Sequence, residues 1–294
     1  MITAAVNVNG RVSDAEHAGV SVLDHGFLYG YGVYETLRTY DRVPFLFDRH
    51  MKRLRASAEG IHVRVPVDDA EMLRRIERTM AAVPGLQEGY IRILLTRGVG
   101  DFSYDPKSAP DPTLVIIVKN FPEPPAEKFD RGIELATVSV MRNHPASVNP
   151  RIKSNNLLNN ALAMQEALRK GAEEALLKNH RDEVAECAQS NVFIIRNGAA
   201  LTPPLDSGLL AGITREFVFE VGRTCGVPVS DAVLRESDVL GADEVFITGT
   251  TRELTPVVAI DRRTIGDGKP GPITKKLLAR FREMARQSVA AMRH

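Results

Sequence analysis

Arg151-Ile152-Lys153-Ser154-Asn155-Asn156-Leu157-Leu158-Asn159-Asn160 opens the stretch RIKSNNLLNNALAMQEALRKGAEEALL, residues 151–177, in which one lysine stands just ahead of an amphipathic segment. Apolar residues recur at helical spacing over Asn155–Lys170 and Gly171 ends the pattern, so a helix is expected there. Pro145 and Pro150 precede it and make the approach to Lys153 a loop. A lysine in that place is ordinarily a solvated surface residue. Its neighbourhood decides whether it does more.

Downstream, Glu174–Asn179, Val184–Ala188 and Asn191–Ile195 read as sheet segments, Ile213–Thr224 as a helix, Glu244–Thr248 as a buried strand, and a last helix starts near Ile273. Ile133–Val140 alternates as a strand. Upstream, the alternating strand Ile2–Val8 runs into the turn Asn9-Gly10, and Val33–Tyr40 and Val43–Phe47 repeat that pattern around Asp41-Arg42. Helices are expected from Asp48, an N-cap type of residue, to Gly60 and from Asp68 to about Val83, the second opened by two acidic residues, followed by strands Tyr90–Thr96 and Thr113–Lys119. Three prolines in Asn120–Lys128 predict an extended connector, neither helix nor central strand. The organisation expected is residues 1–119 as a smaller N-terminal α/β domain, 120–131 as a linker and 132–294 as a larger C-terminal domain. Strands and helices mix without steady βαβ alternation, which argues for an α+β fold with a barrel-like second domain.

A chain of 294 residues with 44% hydrophobic content can bury two such cores. Lys and Arg number 38 against 37 Asp and Glu, so no net field draws the protein to nucleic acid or an anionic membrane, and a small zwitterionic partner fits better. Cys187 and Cys225 are too few for a disulfide framework and lack zinc spacing. Residues 1–19 carry no basic, apolar leader, and no run approaches the roughly 20 apolar residues of a membrane span. A soluble cytoplasmic protein is expected. GxGxxG, GxxxxGK[ST], HExxH and GxSxG are all missing, which removes dinucleotide enzymes, P-loop NTPases, zincins and α/β-hydrolases from consideration.

Leu209-Leu210-Ala211-Gly212-Ile213-Thr214-Arg215 places a glycine turn before a helix, whose free N–H groups and dipole form an anion site to which Thr214 adds a hydroxyl. Phe47-Asp48-Arg49-His50-Met51-Lys52-Arg53-Leu54 puts Arg53 on a basic helical face with Arg49, Lys52 and Arg55, ordinarily a solvated one. Together with Glu186-Cys187-Ala188-Gln189-Ser190-Asn191-Val192-Phe193 and Thr248-Gly249-Thr250-Thr251, these blocks and IKS-x-N resemble, in order, the class IV (fold type IV) aminotransferases of the branched-chain and D-amino-acid kind. The resemblance extends from about residue 24 to 256. It implies pyridoxal 5'-phosphate as cofactor and Lys153 as the Schiff-base lysine and proton shuttle. It further implies that Glu186 faces the pyridine nitrogen, that Arg53, Ile213, Thr214 and Thr250 hold the phosphate, and that Leu210 packs on the ring.

Tyr29-Gly30-Tyr31-Gly32-Val33-Tyr34-Glu35-Thr36-Leu37-Arg38 is similar to the family's substrate motif and implies Tyr29, Tyr34 and Arg38 in the pocket. Tyr90-Ile91-Arg92 matches branched-chain members, whereas Arg97 in Thr96-Arg97-Gly98 matches D-amino-acid and lyase subgroups, so Arg92 and Arg97 both stand as carboxylate partners. Thr250 and Thr251 would add backbone N–H groups. The expected reaction is transamination between an L-branched-chain amino acid and 2-oxoglutarate. A D-amino-acid aminotransferase is the alternative, because Asn155-Asn156-Leu157 lacks the tyrosine of many branched-chain members; aminodeoxychorismate lyase, (R)-amine transaminase and a cofactor-free binding protein follow. The family implies a homodimer, with 101–111 as the loop that would reach the partner.

Overall fold

The computed structural model describes residues 3–121 and 126–291. Packing divides the chain into two compact units, Met1–Glu123 with Ile152–Asn156 and Val289–His294, and Pro124–Arg151 with Leu157–Ser288. The Lys153 segment therefore clusters with the first unit, although in sequence it is flanked on both sides by the second.

In the first unit, β1 (Ala4–Val8) turns through Asn9 and Gly10, both at positive φ, into β2 (Arg11–Asp14). The short helix α1 (His25–Tyr29) precedes β3 (Gly32–Tyr40), which turns back through left-handed Asp41 and Arg42 into β4 (Val43–Pro44). Helices α2 (Phe47–Gly60) and α3 (Asp69–Ala81) follow, then β5 (Gly89–Thr96) and β6 (Thr113–Asn120). The strands form one antiparallel sheet in the order β2-β1-β6-β5-β3-β4. Its inner face, with Val33, Leu37, Ile91, Ile93, Ile116 and Val118, packs with Met51, Leu54, Met72 and Ile76 of α2 and α3.

The expected strand Val43–Phe47 is cut short: Leu46 adopts left-handed φ and caps α2, so Phe47 enters the core from the helix and Asp48 sits in its first turn instead of capping it. Asp68 does cap α3, accepting the N–H of Glu71. Ile2 of the expected first strand lies outside the described residues.

The second unit contains α4 (Ala126–Arg131), β7 (Ile133–Thr137), α5 (Leu158–Arg169), β8 (Glu174–Lys178), β9 (Val184–Cys187), β10 (Asn191–Arg196) and β11 (Ala199–Thr202). It continues with α6 (Ile213–Cys225), β12 (Val229–Asp231), α7 (Glu236–Leu240), β13 (Glu244–Gly249), β14 (Glu253–Ile260), β15 (Arg263–Thr264) and α8 (Pro272–Ala291). One mixed sheet runs β12-β11-β10-β13-β14-β7-β8-β9, with β15 on β14. Its last strand leads by a short turn back to β10, and the Cys187 N–H donates to Ser190 O at 2.8 Å, so the sheet curls toward itself as the barrel-like expectation required.

Two expectations fail here. Residues 126–131 are helical, not extended, because the three prolines all precede Ala126 and leave the rest of the connector free to coil; those prolines lie outside the described residues. Helix α5 starts at Leu158 instead of Asn155, because Asn155 and Asn156 bond to the chain at Gly32 and Gly30. No helix among the described residues is long and apolar enough to cross a membrane.

Candidate active site

Lys153 is held as if it belonged to a strand. Its N–H donates to Ser57 Oγ at 3.1 Å and its carbonyl accepts the Tyr34 N–H at 2.9 Å, while Ser154 bridges Val33 and the Asn155 N–H donates to Gly32 O at 2.9 Å. Asn156 Nδ2 donates to Gly30 O at 2.9 Å. These bonds to the edge of β3 compete with the first helical turn and win, which delays α5. Gly32 is required, since a Cβ there would stand 2.6 Å from Asn155 Nδ2 and 2.8 Å from Leu95 O.

Strand alternation sends Tyr34 and Arg38 to one face of β3 and Glu35 to the other. On Tyr34's face, the Lys153 Nζ lies 4.5 Å from its ring centroid and the Arg92 guanidinium carbon 4.2 Å from it, both within cation–π range. Burial raises the Tyr34 hydroxyl's pKa against the opposing charge of Arg92. The pairing of Thr36 with Arg92 and Arg38 with Tyr90 places all four on that face.

The other residues expected at a substrate pocket make contacts of their own. Arg38 is buried with its guanidinium carbon 4.1 Å over the Tyr40 ring and 5.4 Å over Phe121. Tyr90 neighbours Phe121 and carries Lys119 over its ring at 5.0 Å. Tyr29 packs between His25 and Tyr104 at 5.1 and 5.0 Å. Arg97 donates to the carbonyls of His62 at 2.6 Å and Pro106 at 2.8 Å.

On the opposite face Glu35, fully buried, takes two bonds from Arg53 (Nε to Oε1, 2.7 Å; Nη2 to Oε2, 2.8 Å) and one from His50 Nδ1 at 2.7 Å. His50 and Arg53 reach it together because residues three apart share a helix face. Burial alone would push the Glu35 carboxyl up, but the charge and hydrogen bonds of Arg53 and the bond from His50 hold it far below the usual carboxylate range. Burial lowers the pKa of His50, with Arg53 and Lys153 acting in the same sense and Glu35 against it.

A lowered imidazole pKa has a definite sign. The unfolded chain takes a proton at about 6.5 that the folded chain refuses, so this contribution to stability is complete above that value and is lost as pH falls through it. Thermal melts of wild type and His50→Gln between pH 7.5 and 5 should show the wild type losing stability faster, by up to about 1.4 kcal/mol per pH unit. Glu174, whose carboxyl is raised by burial, has the opposite slope in both proteins and cancels in the difference. Parallel curves would refute the assignment.

In the second unit, Glu186 on β9 accepts from Arg142 Nε at 2.6 Å, from Asn191 Nδ2 at 3.2 Å and from the Leu210 N–H at 3.2 Å. Both charges of the Arg142–Glu186 pair are nearly sealed from solvent, at 9% and 6% exposure, so the carboxylate is fixed in place by its partner. Asn191 Nδ2 also donates to Leu210 O at 3.0 Å, which joins Glu186 and Leu210 in one cluster. Next to it, Gly212 caps α6 without a side-chain bond, and the buried Ile213 and Thr214 form the first turn. A Cβ on Gly212 would stand 1.9 Å from Asn191 Oδ1. Thr250 and Thr251 occupy the turn from β13 to β14, and the buried Thr248 Oγ1 has no hydrogen-bond partner among the described residues. The unit thus offers a clamped carboxylate, a glycine-capped helix N-terminus and a hydroxyl-bearing turn.

The structure brings Lys153, Tyr34 and Arg92 together in one unit and Glu186 with Leu210 in the other. Glu35, His50 and Asn191 stood inside the quoted motifs without a role, and Ser57 and Arg142 stood in no motif. His50 serves the buried carboxylate of Glu35, Arg142 and Asn191 serve that of Glu186, and Ser57 holds the Lys153 backbone N–H, pairings that leave no local mark in the sequence.

A family model described as amino-transferase class IV matches residues 32–260. A Methanocaldococcus jannaschii protein provisionally named a branched-chain-amino-acid aminotransferase is 40% identical over 95% of this chain and 96% of its own length. A D-alanine aminotransferase of Staphylococcus haemolyticus is 35% identical over 94% and 96%. The T.th. branched-chain amino acid aminotransferase, crystallised with pyridoxamine 5'-phosphate, shares 31% identity over 97% of this chain and 95% of that one, with a TM-score of 0.92. The branched-chain aminotransferase of Thermoproteus uzoniensis with norvaline shares 32% over 96% and 94%, with a TM-score of 0.88. The expected fold type IV is the fold found, and the chain belongs to the class IV aminotransferases.

Proposed function

We propose that this aminotransferase uses pyridoxal 5'-phosphate to exchange the amino group of an L-branched-chain amino acid with 2-oxoglutarate. The observation that carries the substrate class is the competition between two arginines. Arg97 spends its terminal nitrogens on two backbone carbonyls. The Arg92 guanidinium makes no hydrogen bond among the described residues, and it shares the Tyr34 ring with the Lys153 amine. The arginine of the branched-chain motif, not that of the D-amino-acid motif, is the one beside the reactive lysine with donors to offer a carboxylate. The branched-chain names of the M. jannaschii relative and the T.th. structure agree with this reading.

The residues present fit the cofactor. The clamped carboxylate of Glu186 suits a cationic ring nitrogen, and the first turn of α6, whose N-cap is a glycine with no side chain to cap it, suits a phosphate. When bound, the cofactor supplies an electron-poor ring that stabilises negative charge at the substrate Cα. In the second unit Glu186 would meet the ring nitrogen, oriented by Arg142 and Asn191; Leu210 would cover the ring; Ile213, Thr214 and Thr250 would hold the phosphate; and Thr250 and Thr251 would receive the substrate carboxylate. In the first unit Arg53 would add a phosphate contact and Lys153 would hold the cofactor and carry the proton removed from Cα. Tyr29, Tyr34, Arg38, Tyr90 and Arg92 would shape the substrate's surroundings. A homodimer in the cytoplasm accompanies this reading.

The test adds single amino acids to the cofactor-loaded protein without any keto acid and follows the cofactor's visible absorbance. Bleaching by L-leucine or L-valine but not D-alanine is expected. Bleaching by D-alanine alone would replace the substrate class with that of the S. haemolyticus relative, and a protein that takes up no pyridoxal phosphate would end the cofactor assignment.

A further inference from the structure

Glu174, the first residue of β8, is fully buried, and its carboxylate is shared by two turns. Ser190 Oγ donates to Oε2 at 3.1 Å from the turn between β9 and β10. Arg252 Nη2 reaches the same oxygen at 3.1 Å from the turn between β13 and β14, and also donates to Gln189 Oε1 at 3.2 Å. The other oxygen, Oε1, accepts the N–H of Ala175 at 3.0 Å.

The backbone around Arg252 is pinned as well. Its N–H donates to Gly249 O at 3.0 Å, its carbonyl accepts from Thr255 Oγ1 at 2.8 Å, and Glu253 follows in left-handed φ with its carboxylate on Arg282 at 2.7 Å. One buried carboxylate therefore ties the turn that follows Glu186 to the turn that contains Thr250 and Thr251.

We propose that Glu174 and Arg252 are positioning residues: they lock the Thr250–Thr251 turn against the Gln189–Ser190 turn and so set the affinity of the enzyme for the carboxylate of its amino-acid substrate. This rests on the substrate role given to Thr250 and Thr251 above. Backbone N–H groups bind a carboxylate well only when they are held in place before it arrives, so loosening the turn weakens binding more than it slows chemistry. One guanidinium nitrogen, Nη2, makes both contacts, to Glu174 and to Gln189, whereas a lysine keeps the charge but, being shorter and lacking the planar group, places its ammonium differently.

Removing Arg252 alone would strand a buried carboxylate, so the main variant is Glu174→Gln/Arg252→Gln, which deletes both charges. In the cofactor-loaded full-length protein, the KM for the amino donor should rise about tenfold with kcat within about twofold of wild type, a loss confined to binding. Amide hydrogen exchange at Gly249–Arg252 and Gln189–Ser190 should accelerate together, and Arg252→Lys should fall between the two proteins in both respects. Unchanged exchange at both turns in the folded double variant would overturn the lock. Accelerated exchange with an unchanged KM would overturn its link to the substrate while leaving the wild-type activity as the separate measure of the proposed function.

Discussion

Lys153→Ala should abolish transamination, with kcat/KM falling at least about 10³-fold, while the thermal midpoint stays within a few degrees of wild type. The backbone bonds that hold the segment do not depend on the side chain: the bond to Ser57 Oγ, the carbonyl that receives the Tyr34 N–H, and the flanking Ser154–Val33 bridge all survive truncation. What disappears is the amine over the Tyr34 ring. Lys153→Arg separates the two properties of that amine. The guanidinium keeps the positive charge above the ring but stays protonated, so it can neither bond a carbonyl carbon nor take a proton. The arginine variant should therefore be as inactive as the alanine one and no less stable than wild type. An alanine variant with wild-type turnover would show that the lysine has no part in the chemistry.

Local pattern made the first unit legible. Period-two alternation found β3, β5 and β6, and Asn9-Gly10 and Asp41-Arg42 marked turns that need positive φ. Strand β14 escaped because Pro256 argues against any central strand. The structure accommodates it through asymmetry: Pro256 pairs with Phe246 of β13, whereas pairing with β7 begins only at Val257 and shifts register before Ala259. The three-residue β12 and two-residue β15 are too short for periodicity to register. At the candidate site, motif order pointed to Lys153, Glu186 and the α6 turn, but not to Arg142, which meets Glu186 across 44 positions of sequence. Long-range ion pairs have no local signature. Nor did the helical pattern of Asn155–Lys170 reveal that its first residues are claimed by the edge of β3.

Glu35→Leu should cost the most stability of any single change at the site, about 3–5 kcal/mol, or a drop in thermal midpoint on the order of 10 °C. The carboxylate is the shared partner of Arg53, 13% exposed, and His50, 2% exposed, and its removal leaves the guanidinium short of two of its bonds in a place with little water to replace them. Glu35→Gln keeps the volume and one acceptor and should fall between leucine and wild type. Acid sensitivity supplies a second readout. Since the folded-state pKa of Glu35 is depressed, its contribution is complete above the unfolded value of 4.5 and is lost as pH falls below it, so Glu35→Gln should flatten the melting curve in that acid range. Glu35→Gln/Arg53→Gln removes both charges and should recover much of the lost stability, because the penalty comes from a stranded cation more than from a missing attraction. The same double variant should bind pyridoxal phosphate at least about tenfold more weakly than Glu35→Gln if Arg53 also serves the phosphate. Equal cofactor affinity in the two would reduce Arg53 to the structural counter-ion of Glu35, and equal stability in the single and double variants would mean that the buried carboxylate was never needed to hold it.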